Sequence, residues 1–513
     1  MRYGAMRPVP NRISHARLHH QLCLLQAPEK SNTMGMNSRV LVVDLDGTLV
    51  RTDLLVECAS QYLIQYPFQF FKPLMWWLQG KTKLKAELAQ FSQIDVSALP
   101  YNLELLNWLR SEKQGGRRLV LATASHRLLA EQVAQHLQLF DEVLATEGDT
   151  NLKSDAKAQA LVDRFGEEEF DYVGNDWPDV QVWARAHTAY VVDAPATLLA
   201  QAKTQGPVGQ VFRSDMPSKL MSMLKAMRLH QWMKNILVFV PLMAAHQYVD
   251  GERDLLAMMA FVVFSLTASS VYLLNDMVDV QDDRHHQRKR NRPFASGALS
   301  LVVGWVAWPF LLCLAIALST CYMPVLFSVT LAAYFGLTLA YSLYLKQLAV
   351  VDVLTLAALY TLRIIAGAVA IDVPLSFWLL LFSMFIFLSL ALIKRYSELK
   401  SARDTGKVGP LRGRGYEPDD LELVSSLGGS AGFIAVLVLA LYIQDGQAAH
   451  LYAQPQLIWL VCPVMLFWIS RAWLIAHRGR MHDDPIVFAI KDKTSWAVVA
   501  FMLGVMTLAR VLS

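Results

Sequence analysis

The stretch NDMVDVQDDRHHQRKRNRP, Asn275 to Pro293, follows an apolar run, Leu255 to Leu274, long enough to cross a bilayer. Where the run ends, the side chains turn acidic at set intervals: Asn275, Asp276, Asp279 and Asp283. At about 100° per residue the four share roughly a quarter of the helix circumference. Carboxylates on one stripe repel each other unless a cation lies among them. Mg²⁺ suits such a stripe, because it takes a few carboxylates together with substrate phosphates. Basic residues follow at once, with Arg284, Arg288, Lys289, Arg290 and Arg292. Carboxylates for a metal followed by cations for phosphate describe a diphosphate site at a membrane surface. A plain membrane boundary needs no common face and is usually basic rather than triply acidic.

Working outward, 513 residues predict two or more domains. A hydrophobic share of 54% and a mean hydropathy of +0.31 predict a membrane protein. Most acids precede residue 200, and the long apolar runs follow it. The net charge of +4 and the lack of basic–aromatic interleaving argue against a nucleic-acid partner. Cys23, Cys58, Cys313, Cys321 and Cys462 show no metal or redox spacing. Residues 1–37 lack a secretory core and are expected to be disordered or to precede the true start, Met34 or Met36.

In the first half, Arg39 to Thr52 reads RVLVVDLDGTLVRT. An apolar run ending in Asp-x-Asp-Gly-Thr predicts a buried parallel strand that presents Asp44 and Asp46 at its carboxyl end, with Gly47 turning the chain. Two more strand-like runs, Arg118–Thr123 and Phe170–Gly174, end at Thr123 and Ser125 and at Asn175, Asp176 and Asp179. Lys157 opens a helical stretch. Helices between strands predict an α/β domain with a parallel sheet. Residues 53–100 are helical and aromatic: their rings either form a local core or face the bilayer or the second domain. Residues 201–217 read as a linker by lost periodicity and Gly/Pro content.

This half, residues 38–200, resembles the haloacid dehalogenase-like (HAD) phosphatases, and DLDGT is their specific first motif. The resemblance implies that Asp44 is the nucleophile that takes up phosphoryl and Asp46 the acid/base. It also implies that Thr123 and Lys157 hold phosphate, that Asp44, Asp46, Asp176 and Asp179 serve Mg²⁺, and that 53–100 is a cap. A carboxylate can carry a phosphoryl group, and a cation must offset the developing charge. The fourth motif departs from the family: Asn175 follows Gly174 where Asp is usual.

From residue 218 onward, nine apolar segments are expected, near 230–249, 255–275, 299–318, 323–345, 350–370, 374–394, 429–444, 456–476 and 495–512. Lys and Arg concentrate after segments two, six and eight. By the positive-inside rule those loops are cytoplasmic, together with the soluble domain and the acidic motif, and the C-terminus lies outside. Lys346 sits in a short loop of the stretch Tyr341–Asp352 on the same side. Arg363, about three turns beyond Asp352, lies within a span, where it either pairs with Asp352 or another acid, or binds phosphate at the floor of a polar cavity. His285 and His286 read as part of the basic loop. Asp483 and Asp484 before Pro485 read as a helix start, with a role toward substrate hydroxyls or Mg²⁺ left open.

NDxxDxxxD after the second span, within nine spans, resembles the UbiA superfamily of intramembrane prenyltransferases. RLHQWMKN (228–235), KRNRPFASG (289–297), YSLYLK (341–346), LRIIAG (362–367), KRYSEL (394–399) and HDDPIVFAIKD (482–492) are similar to its decaprenyl-phosphate phosphoribosyltransferase branch. The resemblance implies an all-α membrane bundle that transfers phosphoribose from 5-phosphoribosyl diphosphate to a polyprenyl phosphate. Asn275, Asp276, Asp279 and Asp283 would hold Mg²⁺ on the leaving diphosphate. Lys234, Lys289, Arg290, Arg292, Lys346 and Arg363 would serve the phosphates, with Tyr341, Asp352, Asp483 and Asp484 nearby. The fused phosphatase would then remove the 5-phosphate. The chain would sit in a bacterial inner membrane, and a homo-oligomer is left open. Prenyl transfer to an aromatic or isoprenoid acceptor is the alternative. That chemistry usually brings a second Asp-rich motif, and Asp352 stands alone there.

Overall fold

The computed structural model describes residues 39–148, 151–245, 250–406, 409–410, 413–444, 452–481 and 484–511. The expectations for residues 1–37 and for Asp483 concern residues outside these. The soluble half runs β1 (Val40–Val43), α1 (Leu54–Gln65), α2 (Phe71–Gln79), α3 (Lys81–Phe91), α4 (Leu103–Gln114), β2 (Leu119–His126), α5 (Arg127–Leu137), β3 (Glu142–Thr146), α6 (Asp155–Phe165), β4 (Phe170–Gly174), α7 (Val180–Trp183), β5 (Thr188–Val192), α8 (Ala196–Gln205) and β6 (Val208–Phe212). The six strands form one parallel sheet in the order β3-β2-β1-β4-β5-β6. Both faces are covered. Leu41, Val43, Leu119 and Leu121 pack into one core, while Val42, Val120 and Ala122 pack into the other. That is why the strands read as continuous apolar runs.

Residues 201–217 are not simply a linker. They hold the end of α8 and the edge strand β6, which pairs with β5. Gly206 and Pro207 between them mark a turn, and the two elements are too short to show a period.

The membrane half follows with α9 (Lys219–Ala226), a 3-10 helix (Leu229–Phe239), α10 (Val240–Ala244), α11 (Gly251–Val278), α12 (Val280–His285), α13 (Leu301–Tyr322), α14 (Val325–Leu343), α15 (Val351–Ala370), α16 (Phe377–Asp404), α17 (Leu421–Gln444), α18 (Val461–His477), α19 (Pro485–Lys491) and α20 (Lys493–Val511). Among the described residues eight helices, not the nine expected, are long and apolar enough to span a membrane. The first expected segment is the 3-10 helix and α10, and its last residues fall outside those described. Its side chains explain the tighter coil. Trp232, Asn235 and Val238 recur every third residue, the 3-10 period. Trp232 Nε1 donates to Ser269 Oγ at 2.9 Å, and Asn235 Nδ2 donates to Ser265 Oγ at 2.9 Å. Val238 presses its carbonyl against Gly367 of α15, where an added Cβ would lie 2.0 Å from that oxygen.

The two halves are docked. Arg284 of α12 and Glu57 of α1 form a two-pronged ion pair at 2.6 and 3.2 Å, and both side chains are almost wholly buried. Arg284 Nε also donates to the Ala295 carbonyl, and Glu57 accepts from Thr52 Oγ1. Trp305 Nε1 donates to Ser60 Oγ at 3.0 Å, and His285 lies 3.0 Å from Asp95. The soluble domain and the acidic loop therefore occupy one membrane face.

Candidate functional site

The helical ladder carries the acidic stripe across the end of α11. Asp279 N donates to Asn275 O at 2.9 Å, and Asp283 N donates to Asp279 O at 2.8 Å. Asp276 and Asp283 are buried. Arg292 Nη1 reaches both, at 3.1 Å from Asp276 Oδ1 and 2.6 Å from Asp283 Oδ2. Arg228 is the second partner of Asp276, and Lys289 lies 3.8 Å from Asp283. Burial pushes the Asp283 carboxyl above its ordinary value, against the pull of Arg292. Asn275 Nδ2 donates to Ser342 Oγ, leaving its carbonyl oxygen as an acceptor. Arg290 is exposed on the loop.

Among the described residues no three carboxylate, imidazole or thiol groups converge into a metal cage, so the expected set is not assembled as a cage by itself. The residues nonetheless fit Mg²⁺. Two buried carboxylates reach a single nitrogen, so one small cation can be shared between them. Asp283 Oδ1 is buried without a hydrogen-bond partner. Mg²⁺ also draws the rest of its octahedron from water and substrate phosphates.

Deeper in the bundle, Arg363 does not pair with Asp352. Arg363 is 4% exposed, and its three nitrogens donate to Asn235 Oδ1, the Leu359 carbonyl and Tyr334 OH. Its guanidinium stacks over Phe264, Tyr334 and Tyr360 at 5.0–5.5 Å. Asp352 instead joins Arg395, with Tyr416 OH and Val353 N completing its bonds. Arg395 also reaches Glu398. This corrects one expectation: Asp352 belongs to a sealed structural network, and Arg363 has no ion pair among the described residues. Lys234 pairs with Asp484, whose Oδ1 caps α19. Burial opposes ionisation of Asp484, but Lys234 and Lys394 outweigh it and hold its carboxyl below the ordinary value. Tyr341 OH accepts from Arg414 at 3.1 Å, and Lys346 is half-buried in the adjoining 3-10 turn.

In the soluble half, Asp44 leaves the end of β1 between β2 and β4, the usual place for a ligand in such a sheet. Lys157 Nζ donates to its Oδ1 at 2.7 Å and Thr48 Oγ1 to its Oδ2 at 3.1 Å. Burial pushes the Asp44 carboxyl up to about 7, with Asp179 and Asp46 adding to the rise and Lys157 opposing it. Asp46 accepts from Leu54 N, Thr123 Oγ1 and Ser125 Oγ. Asp179 is tied down by Tyr172 OH and by the Asn175 and Asp176 amides. Asp176 is exposed and caps its own turn through Trp177 N. Neither Asp176 nor Asp179 thus offers a free buried oxygen. Asn175 takes the inward position: its Oδ1 accepts from the same Thr48 hydroxyl, at 3.0 Å, that bonds Asp44. An added Cβ on Gly47, at φ +77°, would lie 2.4 Å from Asn175 Nδ2. The set therefore fits a divalent cation with two carboxylates, Asp44 and Asp46, in place of the four expected, and with Asn175 at the inward position.

Sequence reasoning missed Arg228, Asn235, Tyr334, Arg395 and Tyr416 as partners. Their signal was faint, because each acts across a helix packing that spacing alone does not reveal.

A model of the UbiA prenyltransferase family matches residues 236–490. One described as haloacid dehalogenase-like hydrolase matches residues 41–172. Over 470 residues the chain is 34% identical to the uncharacterized protein y4nM of Sinorhizobium fredii, covering 91% of this chain and 90% of that one. It is 38% identical to the nodulation protein NoeC of Azorhizobium caulinodans, over 56% of this chain and 93% of that one. It is 37% identical to the decaprenyl-phosphate phosphoribosyltransferase of Mycobacterium tuberculosis, over 54% of this chain and 90% of that one. The matches divide where the fold divides, and the chain belongs to the UbiA prenyltransferase family, with a haloacid dehalogenase-like hydrolase domain joined at its N-terminal side.

Proposed function

We propose that the membrane half transfers 5-phosphoribose from 5-phosphoribosyl diphosphate to a polyprenyl phosphate, with release of pyrophosphate. The observation that carries this reading is the union of two buried carboxylates with phosphate-seeking cations at one membrane face. A phosphate oxygen of the lipid attacks C1 of the ribose as the C1–O bond to the diphosphate breaks. That oxygen is already ionised, so no general base is needed. Mg²⁺, held by Asp276, Asp283, Asp279 and the Asn275 carbonyl, would neutralise charge on the departing pyrophosphate. Arg228, Arg292, Lys289 and Arg290 stand on the same side to bind phosphate oxygens. Arg363, an interior cation without a carboxylate, suits the donor's 5-phosphate, and Lys234, Lys346, Tyr341 and Asp484 line the approach. Asp483 shares that assignment from sequence alone.

The HAD domain would then remove the 5-phosphate. Asp44 attacks phosphorus, Asp46 protonates the leaving ribose oxygen, and Lys157 offsets charge on the phosphoryl group while Thr123 positions Asp46. Docking beside the transferase presents the lipid product at high effective concentration. The shared face is cytoplasmic in a bacterial inner membrane by loop charge, and a homo-oligomer is compatible with this scheme.

Prenyl transfer to an aromatic or isoprenoid acceptor is the second reading. The sealing of Asp352 by Arg395 and Tyr416 speaks against it, because with the Asp352–Arg395 pair fully buried Asp352 is taken up by the protein itself rather than turned toward a second metal for a prenyl diphosphate. The test is to incubate the whole protein with 5-phosphoribosyl diphosphate, a polyprenyl phosphate and Mg²⁺, and to weigh the lipid. The expected product is polyprenyl phosphoribose, and Asp44→Asn leaves it one phosphate heavier. No ribosylated lipid, or a prenylated aromatic from a prenyl diphosphate, overturns the proposal.

A further inference from the structure

The cap of the HAD domain carries more aromatic surface than its own core uses. Tyr62, Tyr66 and Trp76 pack into the interior of the cap, with the half-exposed ring of Phe91 closing over them at 5.8–6.3 Å. Outside that cluster, Phe68 is 90% exposed, Phe70 68%, Leu78 72% and Trp77 51%, with Phe71 and Leu74 beside them. A protein–water surface rarely carries a contiguous patch of that kind without a partner.

Two observations identify the partner. First, the contacts along α1 descend toward the bilayer. Arg51 packs on Gly297 in the loop before α13, Glu57 holds Arg284, and Ser60 receives Trp305, one turn inside α13. Near that level α13 already shows outward apolar side chains, Val302 and Val306 among them. The chain after Ser60 therefore continues at the edge of the membrane half, beside its lipid-facing side chains. Second, between Glu57 and Glu87 there are four lysines, Lys72, Lys81, Lys83 and Lys85, and no acid. Lys83 pairs with Glu87, and Lys85 turns inward to the Ala124 carbonyl and Asn151. Lys72 and Lys81 remain beside the aromatic face. Bulky rings flanked by ammonium groups match the headgroup layer of an anionic bilayer.

We propose that Phe68, Phe70, Phe71, Leu74, Trp77 and Leu78 anchor the cap in the lipid interface, and that the HAD site thereby takes phosphomonoesters carried on a membrane lipid. The second clause rests on the reading given under Proposed function; the first stands without it.

The whole protein, reconstituted in nanodiscs of anionic phospholipid, tests both. In a chain with Cys23, Cys313 and Cys321 replaced by alanine, a nitroxide is placed at Leu78→Cys. Val306→Cys serves as a lipid-facing control and Gln132→Cys as a water-facing control. Collision with oxygen and with a water-soluble nickel chelate is measured for each. The expected result is a Leu78 label that matches Val306, rich in oxygen and poor in nickel. A label as open to nickel as Gln132, or one shielded from both reagents as a protein contact would be, overturns the surface. For the second clause, Phe70→Glu/Leu78→Glu should slow hydrolysis of a bilayer-held lipid phosphomonoester about tenfold and leave a soluble aryl phosphate unchanged. Equal rates on both substrates overturn it. Because the depth measurement needs no substrate, a wrong lipid product and a wrong surface give different results.

Discussion

Replacing Glu57 by Gln removes one charge from a pair that both halves of the protein have enclosed. Arg284 would keep its bond to the Ala295 carbonyl but face a neutral amide in a site where both side chains are at most 2% exposed. Breaking a buried pair by removing one partner typically costs about 3–5 kcal/mol, because the other charge stays buried and unmatched. Replacing both partners with apolar groups is often neutral. Glu57→Gln and Arg284→Met should therefore each loosen the docked state by about 3–5 kcal/mol, and Glu57→Leu/Arg284→Met should return to within about 1 kcal/mol of the parent. The assay is the free energy of domain opening in nanodiscs, from the rate of proteolysis in the segment after β6 as denaturant is added. Transferase turnover should fall with the single variants, since Asp283 immediately precedes Arg284 on the short helix α12. Single variants within about 1 kcal/mol of the parent would show that water reaches the pair and that docking does not depend on it.

Asn175→Asp returns a carboxylate to a position whose oxygen shares the Thr48 hydroxyl with Asp44, so the two acids would stand within about 6 Å of each other. The Mg²⁺ concentration for half-maximal aryl phosphatase activity should fall about tenfold or more; no change would remove Asn175 from the metal position. Asp44, pushed up to about 7 by burial, must lose its proton to attack, so phosphoryl uptake should rise as pH climbs through neutrality. Lys157→Met removes the ammonium that pulls that value down, so any residual activity should need higher pH, and an unshifted limb refutes the role. Arg363→Lys should fail to restore donor affinity, because one ammonium cannot reproduce a planar fork stacked among three rings; a parental KM for 5-phosphoribosyl diphosphate would refute it.

DLDGT and the acidic stripe were legible because each is local. One is a strand with its turn, the other a set of i, i+3 and i+4 positions that run from the end of α11 through Asp279 into α12. The eight long helices were legible from apolar runs for the same reason. Partners brought together by packing were not. Asp352 and Arg363 share a helix face, yet Asp352 turns to Arg395 on the next helix, 43 residues away. Lys234 meets Asp484 across 250 residues, with no periodicity to announce it. Among its described residues the first apolar segment is a 3-10 helix and a short α-helix rather than one long α-helix, because composition cannot distinguish a 3.0 from a 3.6 repeat when Trp232 and Asn235 bond to α11. Tyr62, Tyr66 and Trp76 pack into the cap's core, as one of the two expectations had it, while Phe68, Phe70, Phe71 and Trp77 stay exposed.

Gly367 holds no charge and touches no substrate in the scheme above. Because it lacks a methyl group, the Val238 carbonyl can rest on α15, and Asn235, one turn earlier, is then in register to receive the Arg363 guanidinium. The interior cation is thus aimed by an empty space. Alanine there would shift the 3-10 helix by more than an ångström and be scored in a mutational screen as a catalytic defect, though every reactive atom were intact.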